Sequence, residues 1–86
     1  MSVLHLLTSP EAVDPCLAAA VDGDAVLLVG DGVFAHHQAK APKVRFGILA
    51  EDAEARGVEP RSTAELLDYD GFVEWVAAFP KSVTWR

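Results

Sequence analysis

The sequence predicts a small α/β domain, a three-layer α/β/α sandwich on a mainly parallel sheet of about five strands, and three observations carry that prediction. The first is the stretch Ala25-Val26-Leu27-Leu28-Val29, an apolar run bounded by Asp24 and by Gly30-Asp31-Gly32. It is too short to cross a membrane and lacks the polar alternation of a half-exposed strand. A strand apolar on both sides must be covered on both sides, which a parallel sheet flanked by helices provides. The second is that strand-like and helix-like segments alternate along the rest of the chain, the order that builds parallel sheets. The third is length: 86 residues make one domain, spanning 1–86.

Taken in order, Val3-Leu4-His5-Leu6-Leu7 is an apolar, β-prone run ending at the turn cluster Thr8-Ser9-Pro10, and forms the first strand. His5 is expected at the edge of the core, bonded to backbone. Asp14-Pro15 opens a helix that continues to Val21, with Asp14 as its cap and Pro15 giving up a donor that has no partner in a first turn. Cys16 then falls in the first helical turn, where the macrodipole favours a thiolate, while Glu11 and Asp14 oppose it. Burial as a small hydrophobe is the rival reading of the same residue.

Ala25–Val29 is the central strand, and the Gly30-Asp31-Gly32 turn after it sits where open α/β sheets place their sites, beyond the carboxyl ends of the strands. From Val33 to Ala39 there is room for at most about two helical turns before Lys40-Ala41-Pro42. His36 and His37 are adjacent, so on a helix they diverge by about 100° and form no chelating pair. Lys43–Leu49 is a third strand, and Ala50–Gly57 a short helix with an acidic first turn and a terminal glycine. Ser62 or Thr63 is placed to cap a turn before a fourth strand, Ala64–Asp68. Asp70 is expected to cap a last helix over Gly71–Phe79, whose stripe of Phe72, Val76 and Phe79, with Val73 and Trp75 beside it, reads as core. Ser82–Trp85 reads as a terminal edge strand with Trp85 anchored in a groove.

Composition narrows the function. Hydrophobic residues make up 51% of the chain and mean hydropathy is +0.22, more than so small a monomer easily hides, so association with itself or with similar subunits is expected. The net charge of −6 repels phosphate backbones and disfavours direct nucleic-acid binding. One cysteine excludes an internal disulfide framework and a CxxC site within this chain. No basic leader with an apolar run precedes the first strand and no segment approaches membrane-spanning length, so a soluble cytoplasmic protein is expected. The first turn has no glycine-rich phosphate loop, and no residue set resembles a Ser-His-Asp triad or a carboxylate pair placed for acid-base work, so a nucleotide module or a self-contained enzyme is disfavoured.

Four segments in order, LHLLTSP, LLLVGDGV, AEDAEARGV and DYDGFVEWV…SVTWR, resemble the DsrH/TusB family of sulfur-relay subunits, and the likeness covers nearly the whole chain. The resemblance implies the three-layer sandwich of the DsrE group and a place among three similar subunits in a hexameric complex, with DsrE/TusD-like and DsrF/TusC-like partners. It further implies persulfide transfer, with a TusA-like donor and a TusE/DsrC-like acceptor reached indirectly. The purpose is either 2-thiolation of the wobble uridine of certain tRNAs or dissimilatory sulfur oxidation. No cofactor or metal is implied. Cys16, in AVDPCLAAAV, matches the additional first-helix cysteine of DsrH-type members, which TusB-type members can lack, and is the candidate persulfide carrier. The segment from Gly32 to Arg45 is shorter than the family's usual helix and loop, so a partner is expected to cover that face. Two alternatives to a persulfide carrier stay open: a non-catalytic interaction subunit that completes and shapes the complex, or a homo-oligomer without sulfur transfer. Asp31, Val33 and Phe34, at and after the turn, and Trp85 are the candidate interface residues.

Overall fold

The computed structural model describes residues 2–59 and 64–86, so the cap expected at Ser62 or Thr63 lies outside the described residues. Within them the chain runs β1 (Val3–Leu7), a 3-10 turn (Pro10–Ala12), α1 (Val13–Ala19), β2 (Ala25–Leu28), a 3-10 helix (Gly30–Gln38), β3 (Arg45–Leu49), α2 (Ala50–Ala55), β4 (Glu65–Leu67), α3 (Tyr69–Ala78) and β5 (Lys81–Trp85). The strands form one sheet in the order β4-β3-β2-β1-β5, with every pairing parallel. β2 lies at its centre with all four residues buried, as an unbroken apolar run requires. From β1 to β4 the chain steps in one direction across the sheet, and α3 then returns it to the far side of β1.

The two faces are covered unequally. On one, Leu7, Val26, Leu28, Phe46 and Ile48 meet Val13 and Cys16 of α1, Val33 and Ala35 of the 3-10 helix and Ala53 of α2 in a single buried cluster. On the other, Leu4, Ala25 and Leu27 lie under Trp75 of α3, with Phe72 and Phe79 only partly buried beside them. Leu4, Leu7, Leu27, Leu28 and Ile48 are fully enclosed, each contributing about 1.5–3 kcal/mol of apolar burial. Gly47 makes the second contact possible: a Cβ there would lie 2.9 Å from the Trp75 ring.

Several local expectations change on contact with tertiary structure. The helix before β2 begins earlier than expected, with Ala12 as its cap residue and Asp14 exposed inside its first turn. Ser9-Pro10 starts a 3-10 turn that leads straight into it, the fixed φ of proline suiting a helical first position. Asp68, not Asp70, caps α3: its carboxylate accepts the Gly71 N–H at 2.7 Å. The apolar stripe of α3 is divided, because among the described residues that helix packs on the sheet without a helical neighbour. Trp75 is buried, whereas Val73 and Val76, expected in the core, are 48% and 39% exposed, and Tyr69 is 58% exposed.

Of the glycines, Gly32 has the closest approach to other backbone. A Cβ built on it would fall 1.9 Å from the Leu7 carbonyl oxygen, since the turn after β2 passes directly over the end of β1. Gly30 has open space around it and a φ of +54°. Gly32→Ala is therefore expected to cost at least about 3 kcal/mol of a stability that is only about 5 kcal/mol for a domain this size. Gly30→Ala is expected to cost about 1 kcal/mol, the penalty for a left-handed alanine. Urea unfolding of the two variants followed by circular dichroism checks the order, and equal losses contradict the close approach.

Candidate functional site

Cys16 occupies the fourth position of α1, after the 3-10 turn, so it lies inside a continuous helical run and not at a helix mouth. Its side chain points into the larger core cluster and is 0% exposed. Burial pushes the thiol up to about 11, which leaves about one molecule in ten thousand ionised at pH 7. Of the two readings the sequence leaves open for this residue, its surroundings match the buried one.

The carboxyl end of the sheet is tied together by the segments the sequence singled out. The Gly30 N–H donates to Asp52 of α2 at 2.7 Å, and Arg56 donates through Nε to Asp31 at 2.9 Å while its other nitrogen lies 3.7 Å from Asp52. The Gly-Asp-Gly turn is therefore clamped by α2 and offers no free run of backbone N–H groups. Between β1 and β5, where the strand order reverses and open sheets usually form a crevice, the Thr8 N–H and hydroxyl both donate to the Trp85 carbonyl, at 2.9 and 2.8 Å.

The four candidate interface residues separate. Phe34 is exposed on the 3-10 helix, and Asp31 is exposed apart from its bond to Arg56. Val33 is wholly enclosed in its own chain's core and contributes nothing to the outer surface, because the shortened segment folds back as a 3-10 helix over β2 and β3. Trp85 is half-buried against the same cluster, and its indole N–H donates to Nδ1 of His5 at 3.1 Å.

His5 is buried, and its ring bonds to side chains instead of the backbone expected from sequence. Its Nε2 is 2.9 Å from Oδ2 of Asp24, which also accepts the Val21 N–H at 3.1 Å, while Oδ1 of Asp24 accepts the Val3 N–H at 3.0 Å. Asp24 is 3% exposed. Burial pushes its carboxyl up, but the bonds from His5, Val21 and Val3 outweigh that and hold it below its ordinary value. This assembly was missed in the sequence, where Asp24 marks only the start of a strand. The available signal was a histidine in one apolar strand and a carboxylate at the foot of another. Strand register alone places them together.

Among the described residues, no group of three or more His, Cys, Asp or Glu is arranged to hold a metal ion. No helix among them is long and apolar enough to cross a membrane. The arrangement is thus rich in structural ties at both ends of the sheet.

Comparison with known proteins identifies relatives. Residues 8–82 match the family model described as DsrH like protein. The protein named TusB from Pectobacterium parmentieri is 32% identical over 95 aligned positions, covering 96% of this chain and all of that protein. The protein named TusB from Erwinia tasmaniensis is 34% identical over 97 positions with the same two coverages. Both alignments are longer than the chain itself, so these relatives carry residues that it lacks.

Asp24 gives the fold a defined acid response. A carboxyl held low in the folded state contributes stability above its unfolded value, near about 4, and loses it as pH falls through the folded value. Asp24→Asn, which faces three donors with one acceptor oxygen, is expected to lose about 2 kcal/mol or more at pH 7 and to flatten the stability-pH curve below about pH 4. Glu65, held low by its bond from Arg45 against the opposing effect of burial, keeps its own acid response in that variant. Urea titrations of both proteins from pH 7 to pH 3 read the difference, and parallel curves contradict the assignment.

Proposed function

The chain belongs to the DsrH family, and on that premise we propose that it is a structural subunit of a sulfur-relay complex serving 2-thiolation of the tRNA wobble uridine. It completes an assembly with TusD-like and TusC-like sister subunits and carries no persulfide of its own. The observation that carries this reading is the sealed thiol: persulfide transfer needs a thiolate that a donor persulfide can reach, and Cys16 is enclosed and protonated. The thiolation branch is supported by the name TusB borne by both relatives.

The need for sister subunits is supported by the exposed apolar flank of α3, where Tyr69, Val73 and Val76 face solvent, and by the exposed Phe34 on the opposite layer. A lone domain of this size gains from having such surface covered. The TusA-like donor and the TusE-like acceptor then meet cysteines of the other subunits, and the net charge of −6 keeps this one away from the tRNA backbone.

Native protein incubated with a persulfide donor at pH 7.5 is expected to show no gain of about 32 Da on Cys16. The complex reconstituted with Cys16→Ala is expected to pass sulfur at the native rate, since the change removes only one buried sulfur. Stoichiometric persulfide on Cys16 of the folded chain, or a tenfold slower relay by a folded Cys16→Ala complex, overturns the reading and makes Cys16 a carrier.

A further inference from the structure

The line Asp24–His5–Trp85 plays no part in the proposed role, and its proton positions are fixed by chemistry. We propose that Trp85 is a proton-gated latch: the chain holds its C-terminal indole only while His5 is neutral, and acid releases it.

An indole N–H can donate and cannot accept. His5 Nδ1, 3.1 Å from it, must therefore present its lone pair, and the ring proton sits on Nε2, where it donates to Asp24. Asp24 in turn faces three donors, His5, Val3 and Val21, so it has no room for a proton of its own. Only one neutral tautomer of His5 satisfies every partner. A second proton on the ring has a single place to go, Nδ1, and there it sets two N–H groups against each other. The step adds one proton to Nδ1 and breaks one N–H···N bond, with no covalent change elsewhere. The resulting imidazolium keeps its Asp24 partner, so the charge is compensated while the indole loses its acceptor.

The surroundings leave that conflict unrelieved. Val26 on β2 and Val83 on β5 stand opposite His5 in the sheet. From the helical layer, α1 supplies Val13, Cys16 and Leu17 to the core, and its one carboxylate, Asp14, is exposed. Among the described residues, the charged group in contact with the ring is Asp24. The indole stacks on His5 with ring centres 6.1 Å apart, an arrangement that a charged ring keeps only if the N–H turns away. The Trp85 backbone stays bound, because its carbonyl is held by Thr8 and not by His5. The latch therefore frees a side chain at the edge of the sheet without unzipping β5.

The test follows the His5 ring nitrogens and both indole N–H groups by 15N NMR on the full chain from pH 8 to pH 4.5. At pH 8 the expected state is His5 protonated at Nε2, with the Trp85 indole N–H protected from exchange. On acidification, His5 gains its proton at Nδ1 and Trp85 indole exchange rises at least tenfold in the same step, while the Trp75 indole signal stays in place. In Trp85→Phe, which keeps a ring and removes the donor, His5 takes its proton at a higher pH. The proposal is overturned by an Nδ1-protonated ring at pH 8, by a Trp85 indole still protected once His5 is charged, or by loss of both indole signals together, which is global unfolding. It is equally overturned if His5 in a folded Trp85→Phe protein titrates with or below the native chain. Should that variant not fold, the native titration decides alone.

Discussion

A parallel sheet has no face that water can be left to cover, and this chain meets that requirement on one side only. Over the face that holds Leu7, Val26, Leu28 and Ile48, three helical segments close a continuous cluster. Over the opposite face one ten-residue helix, α3, does the same work with Trp75 as its single buried anchor. The closed side explains why the one thiol is enclosed, since Cys16 is one of its interior residues. The thin side explains why apolar residues remain at the surface, since among the described residues the flank of α3 has no second helix to lean on. Both parts of the proposed role, a subunit that carries no sulfur and one that needs neighbours, rest on this asymmetry.

Polar ties hold the two ends of the sheet in ways that also remove the usual sites of an α/β domain. At the amino end, Asp24 gathers the start of β1, the turn after α1 and His5 around one carboxylate. At the carboxyl end, Thr8 holds Trp85, and Asp52 with Arg56 holds the turn after β2. Groups that elsewhere bind phosphates or substrates are here spent on one another. This is consistent with the proposed role, in which the chain acts through its surfaces.

Much of the architecture was legible because it rests on local composition. The unbroken apolar run at Ala25–Leu28 reads as a fully covered strand and stands at the centre of the sheet. The positions of the strands and of α2 and α3 follow from apolar runs, glycines and turn residues. What was not legible depends on pairing at a distance. Val73 and Val76 have the spacing of core residues, yet they are exposed, with no neighbouring helix over them among the described residues. Val33 sits beside an exposed phenylalanine in a segment too short for a normal helix, and its burial follows from the tighter 3-10 winding. Cys16 reads as a first-turn residue from Asp14-Pro15, whereas the helical run begins at Pro10. His5, Asp24 and Trp85 are far apart in the chain, and nothing short of the β1–β2 and β1–β5 registers brings them together.

The most direct test of the closed face is the rate at which a small alkylating reagent modifies Cys16 in increasing urea. If the seal is the fold itself, modification is slow in water, and its rate rises with urea along the same slope as global unfolding, because only the opened chain exposes the sulfur. Modification in water at the rate of a free exposed thiol, or a rate that ignores urea well below the unfolding midpoint, would contradict the sealed cluster and the role drawn from it.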